Sequence, residues 1–65
     1  MATAIPQDVL DVDGNLTGIE FYDLAGSFII FAEWDEHDEQ TQENRDAFRK
    51  WAYSILKNKG YEVAL

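Results

Sequence analysis

Ile19-Glu20-Phe21-Tyr22-Asp23-Leu24-Ala25-Gly26-Ser27-Phe28-Ile29-Ile30-Phe31-Ala32-Glu33-Trp34 is two apolar-rich runs around a Gly-Ser dipeptide. Aromatic and β-branched residues favour strands. Gly suits the first central position of a type II′ turn. The stretch therefore predicts a β-hairpin. With Gly26 and Ser27 as the loop residues, Ala25 pairs with Phe28, Tyr22 with Phe31, Phe21 with Ala32, Glu20 with Glu33 and Ile19 with Trp34. Side chains alternate between faces along each strand. One face then carries Ile19, Phe21, Asp23, Ala25, Phe28, Ile30, Ala32 and Trp34, and is expected to be the core. The other carries Glu20, Tyr22, Leu24, Ile29, Phe31 and Glu33.

Working outward, Asp8-Val9-Leu10-Asp11-Val12 alternates polar and apolar residues and predicts a strand. By parity Leu10 and Val12 are assigned to the core face. Asp13-Gly14-Asn15 is a hairpin turn signal. The second strand is expected over about Leu16–Leu24 and the third over Phe28–Trp34. Asp35–Gln40 reads as a polar hinge. A helix follows to about Asn58, with Thr41 or Asp38 as its cap and Gly60 as its stop. Its apolar residues Ala47, Phe48, Trp51, Ala52, Ile55 and Leu56 recur at three- and four-residue steps, which places them on one stripe. Phe48, Trp51 and Ile55 are expected to fill the core. Tyr61–Leu65 closes the chain as a short strand. No repeat or linker is apparent. The expected architecture is α+β: a three-stranded antiparallel meander, one helix and a C-terminal strand, in the order β-β-β-α-β, as a single small acidic domain over residues 1–65.

Sixty-five residues give a thin core, and no Cys is present to reinforce it. The nine Phe, Tyr and Trp residues are enough to fold such a chain. The N-terminus lacks the basic and apolar regions of a signal peptide, and no run is long enough to span a bilayer. A cytoplasmic protein is expected, in the host cell if the chain is phage-encoded.

Net charge is −8, and it is segregated. Residues 1–44 hold eleven acids and no Lys or Arg, whereas all five bases lie at or beyond Arg45. Phosphate polymers and anionic membranes would repel such a surface, so direct binding to nucleic acid or membrane is excluded and a basic protein is the expected partner. Glu33, Asp35, Glu36, Asp38, Glu39 and Glu43 put six acids within eleven residues. Such a run can imitate the phosphates of a nucleic-acid strand.

Other chemistries are set aside. Asp11–Asn15 resembles the start of a calcium loop, but Leu16 and Tyr22 stand where Gly and Glu are required. His37 is the one His, and metal binding needs converging ligands. No Gly-rich phosphate loop exists. No catalytic residue, metal or cofactor is expected, and the protein is not expected to be an enzyme. Trp34 and Trp51 read as core anchors, and Asp46 as a partner for Lys50.

The expected partner surface is therefore Glu20, Tyr22, Leu24, Ile29, Phe31 and Glu33 on the sheet, continued by Asp35, Glu36, Asp38, Glu39 and Glu43. The expected function is stoichiometric inhibition of a basic, nucleic-acid-handling protein. In physical type this matches phage-encoded anti-defence proteins, such as anti-CRISPR and anti-restriction nucleic-acid mimics. The alternatives are an immunity or antitoxin protein for a basic nuclease, and a homo-oligomeric assembly protein pairing through the same face.

Overall fold

A computed structural model describes residues 1–64; the expected end of the last strand at Leu65 lies outside them. The elements are β1 (Ala2–Leu10), β2 (Leu16–Tyr22), β3 (Phe28–Glu33), α1 (Gln42–Asn58) and β4 (Tyr61–Val63). They form one four-stranded sheet in the order β3-β2-β1-β4. The β-β-β-α-β order and the α+β class are those expected. β1, β2 and β3 form an antiparallel meander, and β4 adds to β1 in parallel. β3 and β4 lie at opposite edges, so α1 crosses one face between them.

β1 begins six residues before its expected start, and it serves two partners. Ala2, Thr3 and Ala4 pair with Tyr61, Glu62 and Val63, while Ile5 to Leu10 pair with β2. Pro6 falls past the end of β4, where β1 has a partner on one side alone, the place in a sheet that tolerates a missing N–H.

Both hairpin loops share one design. Asp11 N–H donates to Asn15 O at 2.9 Å, Gly14 N–H to Asp11 O at 3.0 Å, and Asp11 Oδ1 accepts from the N–H groups of Asp13 and Asn15. Asp23, Gly26, Ser27 and Ala25 repeat every one of these bonds. Gly14 and Gly26 both have positive φ, at 80° and 84°. Each loop is a turn braced by its Asp and closed by a left-handed Gly. The chain thus carries a short Asp-x-x-Gly repeat that its lack of longer self-similarity concealed.

The second loop corrects the expected hairpin. It runs from Asp23 to Ser27 rather than over Gly26-Ser27 alone. The register moves by two: Ile19 pairs with Ala32, Glu20 with Phe31, Phe21 with Ile30 and Gly18 with Glu33. A slip of two keeps side chains on their faces, so Ile19, Phe21, Ala32 and Trp34 are buried as expected. Between Phe21 and Tyr22 the register shifts again, and Phe28 pairs with Tyr22. Ile29 is the extra residue of a β-bulge. That bulge swaps two side chains: Ile29 packs against the core, while Phe28 moves to the open face at 57 % exposure.

The core joins Ala4, Ile19, Phe21, Ala32, Ala52 and Leu56, with Ile30, Phe48, Tyr53, Ile55, Tyr61 and Val63 around them. Leu10 and Val12, assigned to the core by parity, are exposed instead; Val12 stands at a hairpin tip. Trp51 also departs from expectation, at 53 % exposure. The helical stripe is wider than the thin sheet can cover.

Thr41 caps α1, its Oγ1 accepting from Asn44 N–H at 3.1 Å. Past the end of α1 Gly60 takes φ 91°, and its N–H donates to Lys57 O. Arg49 on α1 pairs with Asp8 on β1 at 2.9 Å, which ties the helix to the core side of the sheet. Asp46 meets Arg49, at 3.8 Å, rather than Lys50, and accepts from Gln42 Nε2 at 2.8 Å.

Candidate functional site: an open sheet face and a pinned acidic loop

The sheet face away from α1 is built from three rows that pairing sets side by side. Ile5, Tyr22 and Phe28 form the first; Gln7, Glu20 and Phe31 the second; Val9, Gly18 and Glu33 the third. Ile5 and Phe31 are each 40 % exposed. Tyr22 and Phe28 meet edge to face at 5.9 Å and 76°. This is a contiguous apolar patch with Glu20 and Glu33 on it and no base. Glu20 and Glu33 are not opposite each other, as the two-residue turn required. Glu20 faces Phe31 and Glu33 faces Gly18, so the two like charges are not set head-on.

Gly18 explains how Phe31 is seated. A Cβ at Gly18 would come within 2.5 Å of the Phe31 ring and within 2.6 Å of Ala32 O. The ring therefore lies against the glycine backbone, between the two carboxylates. Gly18→Ala is expected to displace the ring and strain the β2–β3 ladder, with a loss of roughly 1–3 kcal/mol. Chemical denaturation gives the loss, and aromatic NMR shifts of Phe31 report the displacement.

The Tyr22 hydroxyl is held above the ordinary value of 10.0, first by lost hydration and then by the Glu20 carboxylate. The folded protein thus binds this proton more tightly than the unfolded chain. The associated stability is present below the ordinary value and is lost as pH rises through the raised one. Glu20→Gln is expected to bring the Tyr22 titration down, as read by the NMR shift of its ring carbon bearing oxygen.

The acidic segment beyond Glu33 is more ordered than a solvated hinge. Asp38 N–H donates to Asp35 O at 2.9 Å, and Asp35 Oδ1 accepts from His37 N–H at 3.0 Å. Gln40 then clasps the start of β2: its Oε1 accepts from Leu16 N–H and its Nε2 donates to Leu16 O, both at 2.9 Å. Arg45 Nε donates to the same Oε1 at 3.2 Å. The loop's two ends are fixed, one by β3 and one by this clasp. Glu36, Asp38 and Glu39 are exposed, and Glu43 stands exposed in the first turn of α1. On one flank the loop and the first hairpin tip enclose an open hollow of about 770 Å³, which brings Asp11 beside Asp35, Glu36 and Asp38. Among the described residues no three His, Asp or Glu side chains are arranged to hold a metal.

Of the residues expected on the partner surface, Glu20, Tyr22, Phe31 and Glu33 share the open face, and Asp35, Glu36, Asp38, Glu39 and Glu43 follow on the loop and helix. Leu24 does not join them; it sits on the second hairpin tip, 75 % exposed. Ile29 is withdrawn by the bulge. Ile5 and Phe28 belong to the patch but were not expected there. Trp34 is buried, and its Nε1–H has no oxygen or nitrogen partner among the described residues; the ring meets Phe48 at 5.1 Å.

No protein-family model, curated protein or solved structure matches this chain. No helix among the described residues is long and apolar enough to cross a membrane.

Proposed function

We propose that the chain is a stoichiometric protein inhibitor that binds a basic, nucleic-acid-handling protein and occupies its polyanion groove. The observation that carries this reading is the continuity of one base-free surface. It runs from the aromatic patch of Tyr22, Phe28 and Phe31, over Glu20 and Glu33, into the pinned acidic loop. Apolar centres with charged surroundings are how protein interfaces are built. The carboxylates steer a basic partner and select it, while the patch sets how long it stays. Fixing the loop before binding lowers the ordering cost. In this role the protein works where its target works, in the cytoplasm, and phage-encoded inhibitors of host restriction or CRISPR enzymes are the matching physical type.

The test is affinity capture from the native host, with Phe31→Asp as the control bait. The expected result is a basic nucleic-acid-binding protein that is lost with Phe31→Asp and displaced by added DNA or RNA. A partner encoded beside this chain would instead make it an immunity protein. A stable dimer in solution that Phe31→Asp dissolves would assign the open face to a second copy and overturn the inhibitor reading.

A further inference from the structure

Trp51 has the largest side chain on α1, yet it lies half in water. Its ring leans on Phe48 at 5.8 Å and 38°, and Phe48 meets buried Trp34. The three rings lead from core to solvent. Facing the outer two, across a cleft of about 310 Å³, stand Asp35 and Asp38, with Asn44 also lining it. The chain's own bases do not line this cleft: Arg45 is engaged by Gln40 and Arg49 by Asp8 and Asp46. Asn44 Nδ2 donates to Glu39 O, which leaves its side-chain oxygen as a further acceptor. One wall is thus an exposed aromatic surface and the other a set of acceptors without a cation.

We propose that this cleft takes an arginine side chain of the partner, stacked on Trp51 and hydrogen-bonded to the facing carboxylates. The inference rests on the reading that the partner is basic. Guanidinium matches both walls at once, since its faces stack on aromatic rings and its rim carries five donors. Lysine offers a compact, strongly hydrated charge that uses the stacking surface less well. The carboxylates of Asp35 and Asp38 exclude anions, and the volume suits a side chain rather than a folded element.

The test uses acetyl-Gly-Arg-Gly-amide, with lysine and citrulline counterparts, titrated into the isotope-labelled protein. The expected result is a saturable shift of the Trp51 indole N–H and of the Asn44 and Asp38 amides. Arginine should act several-fold more strongly than lysine, and citrulline should be silent. Trp51→Ala should weaken the response of the Asn44 and Asp38 amides by about 3- to 30-fold, with Trp51→Phe intermediate. Asp38→Asn should weaken the indole response without touching the core. Shifts that spread over all the acids, that Trp51→Ala leaves unchanged, or that citrulline reproduces would overturn the proposal. The peptide assay needs no partner. A silent cleft alongside Phe31-dependent capture removes the arginine site and keeps the inhibitor reading; a responsive cleft without capture does the reverse.

Discussion

Phe21→Ala is expected to remove a large part of the protein's stability at 25 °C. Phe21 has no exposed surface, pairs with Ile30 across the ladder and meets Tyr53 edge to face at 6.0 Å. It therefore joins β2, β3 and α1 at one point. Truncating a buried Phe costs about 3–5 kcal/mol, because hydrophobic transfer is lost and a cavity remains. A 65-residue domain has only about 3–10 kcal/mol in total at typical stability per residue. No disulfide backs up the packing. Circular dichroism and urea titration would show the loss directly. A midpoint moved by less than a quarter of the wild-type value would mean that the core is not centred on this ring.

Joint reversal of Glu36, Asp38 and Glu39 to Lys is expected to abolish partner binding and leave the fold intact. The carboxylates of these three residues accept no hydrogen bond and form no ion pair among the described residues; the turn they occupy is held by backbone groups and by Asp35. Asp35 is excluded from the set for that reason. The change removes three negative charges and adds three positive ones on the surface proposed to steer a basic partner. Steering of this kind is worth about 10- to 1,000-fold in association rate at low salt, and juxtaposed like charges add further loss. Association kinetics at two salt concentrations, beside an unchanged circular dichroism spectrum, check both halves. Undiminished association would reduce the loop to solvated surface.

The order of elements was legible because each carries its own local signal: alternation in the strands, a three-and-four stripe in the helix, and a cap and a Gly at its ends. The register was not legible from the Gly-Ser dipeptide. It depends on Asp23, whose side chain braces a five-residue loop, and the parallel pattern at Asp11 was the available clue. Nothing local announces the bulge that exchanges Phe28 with Ile29, since both are strand formers. The start of β1 was hidden for another reason. Ala2 and Ala4 have weak strand preference, and the segment's pairing partner is nearly the whole chain away. The acids of the site could be counted in sequence, but their company could not. Gln40 is a polar residue with no motif, and only the fold shows that it locks the acidic loop to β2. Trp51 fitted the apolar stripe, and only the width of the sheet shows that it falls outside the core.

The pairing of Ala2–Ala4 with Tyr61–Val63 also bears on how the protein is made. The meander can close from its two braced turns while the chain is still being synthesised. α1 can cover the meander only once its own residues have emerged, and β4, the partner of Ala2–Ala4, follows the helix. The growing chain therefore exposes Phe21, Ile19 and Ala4 together until the helix and the last strand emerge. Long-range closure of this kind is slow relative to local contacts, and an exposed apolar surface invites aggregation. A strongly acidic nascent meander repels its own copies on neighbouring ribosomes. The acidic charge of residues 1–44 would keep unfinished chains apart.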